Sequence, residues 1–182
     1  MKGIVFREFM EMVDSTFGEE MTEKLIDDND LESGGVYTAV GTYDHMELVM
    51  MAKTLSAETG LPINALVEAF GNYLFGRFLA LFPVFFNHPT SFAFLDTIHD
   101  VVHVEVLKLY PEATLPDFKS EISNDGKTLR FEYESPRHFA DLAVGLMKGA
   151  FAHWNENVEL DRQEKEIIDG KQNTLFICNL VE

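Results

Sequence analysis

The chain has 182 residues, of which 46% are hydrophobic, enough for one domain with a substantial core. Its formal net charge of −17 argues against nucleic acid and anionic membranes as partners. The single cysteine, Cys178, excludes a disulfide framework or a cysteine zinc site, and favours a reducing, cytoplasmic setting. The longest apolar run, residues 78–86, is too short for a membrane span, which takes about 20 residues.

The first half of the chain is predicted to be helical. Apolar residues recur at helical spacing over residues 2–16, and a second short helix follows over 19–27. Asp44 and Glu47 have the spacing of a capping box, which opens a helix that ends near Thr59. Pro62 then takes a first-turn position in a long apolar helix from Ile63 to about residue 82.

After Pro116 the pattern predicts antiparallel strands. Residues 118–123 and 128–133 flank the turn sequence Asn-Asp-Gly, and residues 158–168 and 173–181 flank Asp-Gly. A helix over residues 139–154 lies between the two hairpins. The sum is an α+β fold, with a helical N-terminal lobe over residues 1–60. The second lobe, residues 61–182, has an antiparallel sheet of about four strands with helices packed on it.

Residues 92–118 carry the feature that most needs a function. Their first part is predicted to be a single amphipathic helix that Pro111 ends, because apolar residues recur three and four apart: Leu95, Ile98, Val102, Val106 and Leu109. His99 and His103 lie four apart on one face of it.

Three interpretations of His103 stay open on these residues alone. It can be an ordinary hydrogen-bonded histidine. It can belong to a metal hydrolase, because HDVVH resembles the HExxH zinc motif with Asp100 in place of the glutamate. It can also be an axial ligand of a haem iron in an apolar pocket.

A second group is the segment YESPR, in which Tyr133, Ser135 and Arg137 alternate. In an extended segment these three side chains point to the same side. Ser135 followed by proline is also typical of a helix N-cap, and a helix N-terminus favours anions. Arg137 can bind a carboxylate through two parallel hydrogen bonds. Alternatively, Ser135 only caps a helix and Arg137 pairs with one of the 31 acidic residues.

One cofactor fits both groups. Haem is a flat apolar disc that needs one axial ligand and has two carboxylates on one edge. His103 is a candidate for the ligand, and Tyr133, Ser135 and Arg137 are candidates for the carboxylate site. The 16 phenylalanines can supply apolar walls.

Over essentially its whole length the sequence resembles the H-NOX family (haem nitric oxide/oxygen binding), relatives of the haem domain of soluble guanylate cyclase. The resemblance rests on His103 in HDVVHVEVLKLYP, on Pro116 thirteen residues later and on the Tyr-x-Ser-x-Arg motif. It implies haem b (iron protoporphyrin IX) between a distal lobe (1–60) and a proximal lobe (61–182), with His103 as the proximal ligand. It further implies that Tyr133, Ser135 and Arg137 hold the propionates and that Pro116 packs on the porphyrin. The metal hydrolase is disfavoured, because His99 matches no family ligand.

The resemblance also implies which residues form the gas-binding side. In family members that hold oxygen stably, a distal tyrosine donates a hydrogen bond to it, and the matching position here is Leu142. The implied pocket is apolar throughout: Val5, Phe9, Leu74, Phe78, Leu142 and Leu146. We therefore predict a nitric oxide sensor that discriminates against oxygen, with carbon monoxide as a further ligand and an oxygen-binding haem protein as the alternative. In a shifted register Tyr73 enters this pocket.

The implied mechanism is a ligand switch without enzymatic activity. Nitric oxide weakens the bond between iron and His103, which frees the helix that carries this residue. The sequence contains no kinase motif, cyclase domain or P-loop. We therefore expect a separate protein partner, either a histidine kinase or a diguanylate cyclase.

Overall fold

The computed structural model describes residues 1–181, except the side chain of Leu109, so the predicted apolar contact of Leu109 lies outside the described part. The seven α-helices are α1 Gly3–Phe17, α2 Glu19–Asp27, α3 His45–Thr59, α4 Ile63–Leu81, α5 Ser91–Asp96, α6 His103–Leu109 and α7 Ala140–His153. The four strands are β1 Asp117–Ile122, β2 Thr128–Ser135, β3 Val158–Glu164 and β4 Gln172–Leu180. The predicted α+β class is confirmed.

Helices α1 to α4 enclose the first hydrophobic core. Their apolar residues at helical spacing point inward, and the most deeply buried include Phe6, Phe9, Val13, Leu25, Met51, Leu55, Phe70 and Leu74. Burial of this apolar surface is the main stabilising contribution to this part of the fold. Because α4 contributes to this core, the division of the chain near residue 60 stays a prediction.

The second core lies between α7 and the antiparallel sheet, whose strand order is β1-β2-β4-β3. Both predicted hairpins form, with turns at Gly126 and Gly170, which have φ of 70° and 75°. In β2, residues alternate between the core and the outer face, so that Leu129, Phe131 and Tyr133 are buried.

Helices α4 and α7 join the two cores through a close crossing at glycine. A Cβ atom on Gly145 would lie 2.0 Å from the carbonyl oxygen of Glu68, and one on Gly71 would lie 2.3 Å from that of Leu142. Such distances are far below van der Waals contact, and both obstacles are backbone atoms. The crossing therefore requires these glycines.

We expect Gly145→Ala to lower the free energy of unfolding by about 1–3 kcal/mol, as overpacking in a core does. The matched control is Gly76→Ala in α4, because a Cβ at Gly76 meets nothing within 4 Å. The control should be neutral or slightly stabilising, since alanine favours helix over glycine. Urea denaturation of both variants measures the difference, and equal stabilities would contradict the account of the crossing.

The single helix predicted over residues 92–109 is wrong. The chain forms α5, then a π-helical turn over Ile98–Val102, then α6. The backbone N–H groups of Val101 and Val102 both donate to the carbonyl of Thr97, which widens the turn. The helix does end before Pro111, as predicted, with Tyr110 as its C-cap. His103 becomes the first residue of a separate short helix.

Two terminal details of the helices also differ from prediction. The Asp44 carboxylate does cap α3 by accepting from Met46 N–H, but the Glu47 side chain does not reach back to the cap. Instead the buried Glu47 accepts hydrogen bonds from Ser33 and from the hydroxyl of Tyr37, which fastens the preceding loop to α3. Pro62 is the N-cap residue of α4 and lies just outside its first turn.

Candidate haem site

His103 begins α6, and the backbone carbonyl of Pro116 lies near its ring and acts on it as a hydrogen-bond acceptor. Burial, followed by the neighbouring His99, lowers the pKa of His103 to about 4, against the opposing effects of Asp117 and Pro116. The imidazole is therefore neutral at pH 7. A neutral imidazole with one N–H engaged by a carbonyl leaves its other nitrogen available to a metal, which is the usual arrangement of metal-binding histidines.

Phe118 connects His103 to the sheet, and sequence reasoning did not identify it. Its ring centroid lies 5.4 Å from that of His103, 4.8 Å from Phe131 and 5.7 Å from Tyr133. Phe118 is also the partner of Tyr133 in the register of β1 and β2. Its position two residues after Pro116, at the start of a predicted strand, was the only available signal.

Tyr133 and Ser135 lie on one face of β2, as predicted, and both are 3% exposed. The predicted helix N-cap at Ser135 is wrong, because α7 begins at Ala140. Instead, the Ser135 hydroxyl accepts a hydrogen bond from Arg137 N–H, and the Tyr133 hydroxyl accepts one from Phe139 N–H. These bonds shape the connection between β2 and α7, so Arg137 lies on a turn beyond the strand.

Arg137 forms no ion pair with any carboxylate in residues 1–181, although the chain is strongly acidic. One guanidinium nitrogen donates to the carbonyl of Thr114 at 2.7 Å. Burial lowers the pKa of Arg137, with Tyr133 opposing. The alternative in which Arg137 pairs with an acidic residue of the chain is therefore wrong. A partly buried, unpaired guanidinium is suited to an anionic ligand.

The predicted distal residues lie on three helices as pairs four residues apart, so each helix presents one pair on one face. All six belong to the first core or pack against it, and Leu146 packs against both cores. Phe9 and Leu74 are buried, whereas the other four are half-buried. The pairs are Val5 and Phe9 on α1, Leu74 and Phe78 on α4, and Leu142 and Leu146 on α7.

Tyr73, the neighbour of Leu74, is half-buried and packs against the first core. Burial raises the pKa of its hydroxyl, Arg77 lowers it, and Glu8 and Glu11 raise it. The Arg77 guanidinium binds Glu8 across α4 and α1. Two of the three charged groups that act on Tyr73 therefore belong to the α1–α4 ion pair.

The metal-hydrolase interpretation lacks a third ligand. The rings of His99 and His103 have centroids 6.5 Å apart. Within the described part of the chain, no group of three or more His, Cys, Asp or Glu side chains is placed to hold a metal ion.

The donor set fits a haem. A neutral His103 can supply the axial ligand, Arg137 with Tyr133 and Ser135 can hold carboxylates, and the three helical pairs can supply an apolar wall. The model for the family described as haem-NO-binding matches residues 2–162. The chain belongs to the haem-NO-binding (H-NOX) family.

Solved H-NOX structures share the fold. The Fe(II) unliganded H-NOX protein from K. algicida is 35% identical, with a TM-score of 0.91, 100% of this chain covered and 97% of that one. The S. oneidensis H-NOX protein in the Fe(II)NO state is 26% identical, with a TM-score of 0.90 and complete coverage of both chains. A mutant of the S. oneidensis domain in the Fe(II)CO state is also 26% identical, with a TM-score of 0.87 and coverage of 99% and 98%. A comparison with curated proteins found no match.

Family membership makes this chain a haem-binding gas-sensor domain and not itself an enzyme. H-NOX structures are known in Fe(II)NO and Fe(II)CO states, so the family binds both gases. Among residues 1–181 no helix is long and apolar enough to cross a membrane.

Proposed function

We propose that this H-NOX domain is a nitric oxide sensor that discriminates against oxygen. The decisive observation is that all six distal residues are apolar, so the pocket offers bound oxygen no hydrogen-bond donor. Nitric oxide needs no such donor for tight binding to ferrous haem. Tyr73, the nearest hydroxyl in sequence, is influenced by Arg77 and Glu8, which supports its placement outside this pocket.

In this proposal the cofactor is haem b, held without a covalent bond. His103 is the iron ligand, Pro116 packs on the porphyrin, and Tyr133, Ser135 and Arg137 hold the propionates. Covalent haem attachment uses a pair of cysteines, whereas this chain has one, and it is buried among strands. Cys178 as a free thiol also supports a reducing, cytoplasmic setting.

The test of selectivity is the visible spectrum of the reduced, haem-loaded protein in air. We expect no stable oxygen complex from the wild type, whereas Leu142→Tyr should form one, because its hydroxyl can donate to bound oxygen. Leu142→Phe is the matched control, since it adds the ring without the hydroxyl. A stable oxygen complex of the wild type would refute the discrimination and favour an oxygen-binding protein.

We further propose that release of His103 is the signal. Bound haem would supply an iron that binds the gas, and His103 would be the protein ligand of that iron. His103 begins α6, which directly follows the π-helical turn and makes few contacts with any other element, so a freed His103 allows α6 to move about that turn. The contact of His103 with the ring of Phe118 connects this movement to β1. A ligand that favours one of two positions of a helix is sufficient for a switch.

A separate signalling protein receives the signal in this proposal, either a histidine kinase or a diguanylate cyclase. Its support is the resemblance to stand-alone family members. Kinase autophosphorylation or cyclic dinucleotide synthesis, assayed with the haem-loaded domain with and without nitric oxide, is the test. The proposal would be contradicted if nitric oxide left unchanged the activity of every kinase or cyclase encoded beside this chain.

A further inference from the structure

A cavity of about 380 Å³ lies between α3, α4 and the connection from β2 to α7. Its wall is mainly apolar and shares Phe9, Leu142 and Arg137 with the proposed haem site. The polar groups on the wall include His45, His138, Asn64 and Asp141. The cavity therefore places a second set of polar groups beside the guanidinium proposed to hold a haem carboxylate.

His45 is the polar group of this wall that remains available to an anion. It is the first residue of α3, and its side chain is 29% exposed. Its Nδ1 lies 3.2 Å from the Asp44 carboxylate, while Nε2 has no hydrogen-bond partner among residues 1–181. Asp44 thus fixes the ring and leaves Nε2 as a free donor when the ring is protonated.

The other cationic groups nearby are already engaged, and the N-terminal ammonium of Met1, which acts on both His45 and Arg137, donates to the carbonyl of Tyr43 at 2.6 Å. Lys2 Nζ binds Glu112 and Thr42, each at 3.0 Å, and lies over the ring of Tyr110. The Nε2 atom of His138 lies 3.2 Å from the carbonyl oxygen of Gly170. Asp141 is paired with Arg162 and repels anions. Among the side chains of the cavity wall, His45 is therefore the one that can add a positive charge to that of Arg137.

Haem has two carboxylates, and one guanidinium neutralises one of them. We propose that His45 is a second propionate ligand, whose free ring nitrogen binds the carboxylate that Arg137 does not. This inference rests on the proposed haem site. Burial lowers the pKa of His45, Asp44 raises it, and both Arg137 and the N-terminal ammonium lower it. A carboxylate next to the ring favours the protonated form, so the site becomes more cationic as the anion binds.

The experiment measures the rate of haem release to an excess of apomyoglobin, for protohaem and for its dimethyl ester, which has no carboxylates. His45→Gln should release protohaem about two- to fivefold faster than wild type, the upper part of the range expected for one partly exposed ion pair. His45→Lys should restore slow release, because it restores the positive charge. With the dimethyl ester, His45→Gln and wild type should release at equal rates. His153→Gln, an exposed histidine outside the cavity, is the control and should match wild type with both ligands.

The assignment of His45 would be overturned if His45→Gln released protohaem at the wild-type rate. It would also be overturned if His45→Gln released both protohaem and its ester faster than wild type does. Arg137→Ala separates this failure from failure of the haem site. If Arg137→Ala speeds protohaem release while His45→Gln does not, the haem site holds and the inference about His45 is wrong. If the wild type takes up no haem, the proposed function and this inference both fail.

Discussion

His103→Gly should lose haem during purification and regain it only when imidazole is supplied. The substitution removes the one ring whose Pro116 bond and neutral state suit it to bind iron. Loss of this ligand should weaken haem binding beyond the roughly 10- to 100-fold that outer-shell changes cost at metal sites. Haem content per chain and the visible spectrum, with and without imidazole, measure the effect.

The matched control is His99→Gly, the same replacement four residues earlier on the π-helical turn. It should retain haem with a wild-type spectrum, because His99 contributes to the environment of His103 but has no assigned ligand role. Equal haem loss from both variants would mean that glycine disrupts this segment. Retention of haem by His103→Gly without imidazole would contradict the assignment.

Arg137→Ala should weaken haem binding by about 1.5–3 kcal/mol, roughly 10- to 150-fold, while the iron keeps its ligand. The protein without haem should change in unfolding free energy by less than about 1 kcal/mol, because only the bond to Thr114 is lost. Removal of an unpaired, partly buried charge offsets part of that loss. Haem titration and urea denaturation of the haem-free protein measure the two effects separately.

Arg130→Ala is the control for charge, since Arg130 is an exposed arginine on β2 itself. It should leave haem affinity within about twofold of wild type, as distant exposed charges are screened. If Arg130→Ala weakens binding as much as Arg137→Ala, the effect comes from net charge and not from a defined carboxylate site.

The sequence predicted those parts of the fold that depend on local signals. The two hairpins formed because Gly126 and Gly170 adopt the positive φ that their turns require. Periodicity located α1, α2, α3, α4 and α7 to within one or two residues. Likewise, the alternation of Tyr133 with Ser135 on one face of β2 was predicted from spacing, whereas the role of His103 followed only from the family resemblance.

The remaining features depend on contacts between distant residues. No proline or glycine in the sequence marks the π-helical turn. Two of its residues, Ile98 and Val102, pack against the second core. The delayed start of α7 follows from His138, whose φ of 58° is left-handed and interrupts helical geometry without a glycine. The lack of a carboxylate partner for Arg137 became visible only in the folded chain. The acidic composition alone favoured an ion pair between Arg137 and one of the 31 acidic residues.

The most direct test of the central claim is the proton NMR spectrum of the reduced, haem-loaded protein in H₂O. A ring N–H of an iron-bound histidine, protected by its bond to a carbonyl, gives an exchangeable resonance far outside the normal range. We predict one such resonance in the wild type and in His99→Gly. We predict none in His103→Gly supplied with carbon-deuterated N-methylimidazole, because this ligand has no ring N–H. Its persistence in His103→Gly would show that another residue binds the iron and would contradict the account.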